Sequence, residues 1–166
     1  MPTRPAVITA LQEKFTGVTT SEFRGQTRVV IAAAEAFAAL SYLKQQQGYD
    51  LLVDITCVDY LNAREATDRF GLAYLLTNVA ENDRLTVRVF LNEPELTIPS
   101  VYPLWEGADW LEREVYDMFG IVFAGHPDLR RILMPDEFVA YPLRKDYPLR
   151  GRGERHNFPV LRRNQA

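Results

Sequence analysis

Glu112, Arg113, Glu114 and Asp117 crowd one short stretch of this chain, and His126, Asp128, Arg130 and Arg131 follow closely; Arg144, Lys145 and Asp146 form a later group. Carboxylates near an imidazole are the parts of an acid/base catalyst. That chemistry requires a site that moves one carboxyl's pKa toward neutrality. Here each acid of the first group has an arginine within about one helical turn, and a neighbouring cation holds a carboxylate ionised. No serine or cysteine stands in a nucleophile setting, so an autonomous acid/base enzyme is the weaker reading. The same residue types suit a built interface, because arginine offers a planar fork of donors for bidentate pairing. Asp109, Arg113 and Asp117 recur every four residues, which on a helix would set Arg113 between two acids on one line. Two roles are compatible: a surface helix laced with ion pairs, and a docking surface. Arginines that pair with Glu112, Glu114 or Asp117 would pin the following loop to the helix and fix its shape.

The elements that must position these residues are legible. Asp109 stands three residues before Glu112, the spacing of a capping box, and Gly120 offers a left-handed stop, so the pattern predicts a helix over 110–119. Leu111, Val115, Met118 and Phe119 share one face and should point to a core. Gly120, Gly125, Pro127 and Pro135 then punctuate a held, irregular path with Ile132, Leu133 and Met134 as its apolar anchor. Upstream, the chain predicts a helix over 8–15, a strand over 28–32 after the turn-like Arg24-Gly25-Gln26 with a further strand before it, and a helix over 35–47 closed by Gly48. Strand-like runs follow at 51–60, 70–77 and 84–91; in the last, Leu85, Val87, Val89 and Leu91 alternate with Thr86, Arg88 and Phe90. The order helix, two strands, helix, three strands, helix predicts a single two-layer α+β domain with one mixed sheet and helices on one face. Residues 1–128 would form its body, including the Glu-Arg-Glu helix, and 129–166 an extended, Pro- and Arg-rich basic docking segment of the same domain.

Composition narrows the function classes. At 166 residues one domain is the default, large enough to bury about two thirds of its unfolded surface. The longest apolar run, at 29–34, falls far short of the roughly twenty residues a membrane span needs. The first fifteen residues read neither as a secretory leader nor as an Arg-rich transit peptide. A cytosolic chain is expected, with any membrane association through partners. Cys57 is the lone cysteine, in an apolar strand-like run, where a buried thiol is the expected state; it cannot form an internal disulfide or supply the four thiolates of an iron–sulfur cluster. His126 and His156 lie too far apart to suggest zinc, and no glycine-rich phosphate loop follows a strand. No metal or cofactor is therefore expected on this chain. Residues 1–128 carry 10 basic and 18 acidic side chains, whereas 129–166 carry 9 basic and 4 acidic. The basic end, with Arg150, Arg152, Arg155, Arg162 and Arg163, has thin aromatic interleaving, so a tail laid over an acidic neighbour fits better than nucleic-acid binding.

A family resemblance joins these residues. Glu112-Arg113-Glu114, then Asp117-Met118-Phe119, His126, Arg130 and Ile132-Leu133, continuing through Pro142-Leu143-Arg144-Lys145-Asp146-Tyr147-Pro148-Leu149, resemble the diagnostic pattern of the C subunit of NADH-quinone oxidoreductase, the small hydrophilic component of the peripheral arm of respiratory complex I. Leu52-Val53-Asp54-Ile55-Thr56-Cys57-Val58-Asp59-Tyr60, Pro99-Ser100-Val101 and Leu104-Trp105 extend the likeness over roughly residues 50–150. Ala140-Tyr141 stand where members often carry Gly-His, and nothing carries over beyond Leu149. The resemblance implies a cofactor-free subunit on the cytoplasmic side of a bacterial cell membrane. It would dock beside the large subunit that helps form the quinone cavity, with flavin and iron–sulfur clusters in partner subunits and quinone as substrate of the whole complex. Glu112, Arg113, Glu114, Asp117, His126, Asp128, Arg130 and Arg131 would hold the helix–loop unit in its docking shape, and Arg144, Lys145 and Asp146 would extend the contact. Related membrane complexes that accept electrons from ferredoxin, formate, hydrogen or deazaflavin retain a similar subunit.

Overall fold

The clean alternation at Leu85, Val87, Val89 and Leu91 becomes the middle of a five-stranded sheet. The structure, a computed structural model, describes residues 5–64 and 66–153; Arg155, His156, Arg162 and Arg163, singled out in the sequence, lie outside them. Helix α1 (Pro5–Lys14) leads into the hairpin β1 (Thr19–Phe23) and β2 (Gln26–Val30), then α2 (Ala36–Gln47), β3 (Leu51–Asp59), β4 (Phe70–Asn78) and β5 (Asp83–Leu91). A short strand β6 (Thr97–Pro99), the helix α3 (Ala108–Phe119) and a second short strand β7 (Val122–Ala124) follow, and a 3-10 turn at Ala33–Glu35 precedes α2. The sheet order is β1-β2-β5-β4-β3; β2 and β5 run parallel and the other neighbours antiparallel. The mixed α+β architecture expected from the element order is therefore present.

Register explains the core. Val29 pairs with Val87, Val87 with Tyr74, and Tyr74 with Ile55, so the buried side chains of four strands share one face. Side chains alternate across a strand, which leaves Val30, Arg88, Ala73 and Thr56 on the opposite face. Leu11 of α1, Leu40 and Leu43 of α2, and Val115 and Phe119 of α3 join the inward strand residues in one cluster. Covering those apolar side chains with helices stabilises the domain by roughly 1.5–3 kcal/mol for each fully buried aliphatic or aromatic residue. Cys57 is buried on the same face, as expected, and burial pushes its thiol up to about 12.

One pair of strands was not legible in the sequence. β6 and β7 pair in parallel on either side of α3, Thr97 with Val122 and Pro99 with Ala124. Three residues are too few to display an alternation, and the partners are separated by a whole helix. Their pairing has a consequence for α3: the residues that follow β6 and β7 converge on its N-terminal half, where Ser100 and Val101 bond Glu112 and His126 stands beside Asp109 and Glu112.

Candidate functional site

Helix α3 begins at Ala108, earlier than expected, and the capping box is not formed. Gly107 is the N-cap, without a side-chain cap. The preceding turns already satisfy the first donors, since the N–H groups of Ala108 and Asp109 bond the carbonyls of Trp105 and Glu106. Asp109 and Glu112 are thereby free for other partners. At the far end Gly120 adopts φ 76°, and its N–H bonds the Tyr116 carbonyl, as the left-handed stop requires.

Asp117 is the anchor of the loop. Its side chain has no solvent exposure. One carboxylate oxygen receives the Arg131 guanidinium at 2.6 Å, and the other accepts the backbone N–H groups of Ile132, Leu133 and Met134 at 3.0, 2.7 and 2.8 Å. Burial alone would raise this carboxyl's pKa, but the donors of Met134, Leu133, Ile132 and Arg131 outweigh it and hold the group below the usual carboxylate range. Arg131 also donates to the Ala140 carbonyl and lies over the rings of Tyr141 and Phe138. The expected pinning of loop to helix is thus real for Asp117 and Arg131. Arg113 is not set between two acids as its spacing suggested. Its guanidinium leaves the helix axis and donates to the carbonyls of Arg130 and Arg131, passing over the Trp110 ring. Those carbonyls sit closer than an acid a full turn away on the same helix.

Arg144 ties the next stretch down. It donates to the Phe119 carbonyl at 2.6 Å and to Glu93 at 3.0 Å, and it stacks over Phe70 and Tyr141. Asp59, buried at the end of β3, accepts the N–H of Lys145 at 2.8 Å, while Arg69 bridges Asp59, Glu93 and Asp146. Gly120 lies beneath this stack: a Cβ there would sit 2.6 Å from the Tyr141 ring and 2.8 Å from Arg144. Tyr141, given no role from sequence, is therefore a keystone of the site. Arg69, Glu93, Asp59 and Ser100 were also missed as site residues. They come from loops and strand ends distant in sequence, and only the resemblance at Asp59 and Ser100 touched them.

Glu112 corrects a further expectation, that every acid here has an arginine holding it ionised. It is wholly buried, accepts Ser100 Oγ and the Val101 N–H at 2.7 Å each, and has the His126 Nε2 at 4.0 Å. Burial raises its pKa; the Ser100 and Val101 hydrogen bonds oppose this, the Asp109 charge adds to it, and the carboxyl reaches about 7. Neither this carboxyl nor the His126 side chain is open to solvent. His126 Nδ1 accepts the Asp128 N–H at 3.0 Å, so the neutral ring carries its proton on Nε2, 3.2 Å from the Asp109 carbonyl.

The remaining candidates face outward. Arg130 and Asp128 pair with each other at 2.9 Å on the surface, and Glu114, Lys145 and Asp146 are exposed. Trp110, Leu133, Val139, Leu143 and Leu149 are exposed apolar side chains of the same helix and the segment after it. Among the described residues no group of three or more His, Cys, Asp or Glu side chains is placed to hold a metal, and no helix is long and apolar enough to cross a membrane.

The family model for the respiratory-chain NADH dehydrogenase 30 Kd subunit matches residues 29–153, from β2 through the Arg144 knot. The chain belongs to this family. It is 45% identical over 153 residues to the NADH-quinone oxidoreductase C subunit of Geobacter metallireducens, covering 91% of this chain and 93% of the relative. Among solved structures, a trypsin-resistant fragment of Nqo5 superposes with a TM-score of 0.69 at 34% identity, covering 75% of this chain and 97% of the fragment. A chain from the membrane-bound sulfane sulfur reductase, an archaeal respiratory membrane complex, shares the fold with a TM-score of 0.74 at 23% identity, over 95% of this chain and 92% of that one. Family membership and the knots described above coincide: α3, its loop and the Arg144 stretch all lie inside the matched span.

Proposed function

We propose that the chain is a cofactor-free structural and assembly subunit of a proton-translocating NADH-quinone oxidoreductase. It docks in the peripheral arm, on the cytoplasmic side of a bacterial cell membrane, beside the large quinone-site subunit. In this reading it contributes no catalytic residue. Flavin and iron–sulfur clusters reside in partner subunits, and quinone is the substrate of the whole complex.

One observation carries the docking role. Buried side chains of α3 hold an irregular segment so that Leu133, Val139, Leu143 and Leu149 stand exposed in a stretch with no helix or strand among residues 129–153. An unshielded apolar row fixed by internal hydrogen bonds is costly for a lone chain and useful for one that will be covered. Arg130, Lys145 and Asp146 are exposed in the same segment and would supply a polar rim of the kind interfaces carry. Glu112, Arg113 and Asp117 serve from inside by setting the shape, and the domain body 1–128 supports the described part, 129–153, of the segment expected over 129–166.

A native pull-down of the tagged chain from gently solubilised source membranes tests this. Recovery of a large assembly with flavin, iron–sulfur absorbance and NADH-dependent quinone reduction is expected. Replacing Leu133 and Val139 by Asp should leave the isolated fold intact and remove that assembly. Recovery of the chain alone, or an assembly indifferent to both substitutions, would refute the docking surface.

A further inference from the structure

Glu112 lies in a sealed pocket where the surrounding elements aim particular groups at it. The stretch after β6 supplies Ser100 Oγ and the Val101 N–H. Strand β4 supplies Tyr74, whose buried hydroxyl has no hydrogen-bond partner and feels the Glu112 charge. Its own helix supplies Asp109, with one buried carboxylate oxygen that lacks a hydrogen bond and stands 3.3 Å from His126 Nε2. The loop after β7 supplies the His126 imidazole, with the Tyr102 ring against it at 6.2 Å between centroids. Arg113, its helical neighbour, turns away to the carbonyls of Arg130 and Arg131. The cluster thus gathers two carboxyls, two phenols and one imidazole, with no arginine or lysine paired to Glu112 among the described residues.

Two protonation states of this cluster differ in what the geometry permits. An imidazolium would place a proton on His126 Nδ1, directly opposite the Asp128 N–H that this nitrogen now accepts at 3.0 Å. Two donors would then face each other, and the 126–128 turn would have to give way. Glu112 meets no such obstacle. Ser100 Oγ already stands 2.7 Å from its Oε2, and a hydroxyl can rotate from donor to acceptor without moving a heavy atom. We propose that the cluster is a proton-binding site in which Glu112 takes up a proton, so that the joint between α3 and the His126 loop is proton-linked. The step adds one proton from solvent to a carboxylate oxygen. Glu112 passes from one negative charge to none. The new O–H donates to Ser100 Oγ, which also accepts the Tyr102 N–H, and replaces the hydrogen bond that the Ser100 hydroxyl now donates to Oε2, with no covalent bond broken. The upward displacement of Glu112 to about 7 places the event in the neutral range. It belongs to the folded chain itself and does not depend on any partner.

The test is a nuclear magnetic resonance titration of the full chain, with glutamate side-chain carboxyls labelled with carbon-13. Glu112→Gln assigns the carboxyl resonance; where that variant does not fold, Ser100→Ala identifies it as the signal whose midpoint moves upward when its hydrogen bond is lost. The expected result is a Glu112 midpoint near pH 7. A Glu112 midpoint in the ordinary carboxylate range of about 4 overturns the proposal.

Discussion

Asp117→Asn is the most searching single change, because it keeps the side chain's shape and removes only its charge. The carboxylate now serves four donors: Arg131 at 2.6 Å on one oxygen, and three successive backbone N–H groups at 2.7–3.0 Å on the other. An amide has a single oxygen. Turned toward the backbone, it sets its own N–H group against the Arg131 guanidinium; turned toward Arg131, it sets that group against three N–H donors. Breaking a fully buried ion pair from one side costs roughly 3–5 kcal/mol. Arg131 keeps 14% of its side-chain exposure, so water recovers part of that, and a loss of about 3 kcal/mol is the better figure. The segment can open without the sheet unfolding, so the loss should register locally first. At about 1.4 kcal/mol per decade, exchange of the Ile132, Leu133 and Met134 amides should accelerate roughly a hundredfold. Hydrogen exchange read residue by residue is the assay, with urea unfolding as the global control. Because the native carboxyl is held below its ordinary value of 3.8, its contribution is present above that pH and disappears as pH falls through the folded value; the wild-type segment should loosen in acid below about pH 4. Amide protection that is unchanged in the variant would refute the anchoring role.

The other predictions concern neighbouring parts of the same unit. Glu112 works in the opposite sense to Asp117: its folded pKa is raised from 4.5 to about 7, so its stabilising contribution is complete below 4.5 and lost as pH rises through 7. That difference is worth on the order of 3 kcal/mol at most; urea midpoints of the wild type should fall between about pH 5 and pH 8, whereas Glu112→Gln should flatten the slope. Gly120→Ala must place a Cβ 2.6 Å from the Tyr141 ring in a left-handed conformation, so a loss of about 2 kcal/mol and a fall in Tm of roughly 4–8 °C are expected; a Tm within one degree of wild type would show that Tyr141 moves aside freely. Arg113→Ala removes contacts that are internal to the chain, so it should lower the stability of the isolated chain together with the yield of assembled complex; a loss of assembly at unchanged stability would show that Arg113 also acts in contact.

What the sequence disclosed and what it concealed divide along a physical line. The alternation at 84–91, the Ala- and Leu-rich stretch closed by Gly48, and the glycine stop at Gly120 are local signals, and each became the expected element. The destinations of charged side chains were not local. Fourfold spacing correctly put Asp109, Arg113 and Asp117 on one helix, yet their partners proved to be His126, two backbone carbonyls and Arg131, all from the loop beyond β7. A buried guanidinium takes whichever acceptors lie nearest in space, and α3's short flanking strands, invisible to any pattern of period two, decide what is near. The same blindness made Glu112 look like one acid among many. Its isolation from arginine depends on Arg113 turning the other way.

These destinations bear on what the buried charged residues of α3 do. Glu112 and Asp117 have no solvent exposure and Arg113 very little, so none of the three is placed to grip a partner across an interface. Each instead satisfies backbone groups of a segment with no helix or strand, where a chain path cannot satisfy itself. Asp117 meets three consecutive N–H groups, Arg113 two consecutive carbonyls, and Glu112 the N–H that opens the turn before α3. Charged groups do this better than neutral ones, since charge-assisted hydrogen bonds are about twice as strong. A surface made from irregular chain can present Leu133, Val139 and Leu143 in one fixed arrangement only if such internal donors and acceptors replace a helix or sheet ladder. In the docking reading, substitution of the buried acids should therefore harm assembly through the shape of the segment, and substitution of the exposed apolar residues through contact, with the stability of the isolated chain separating the two.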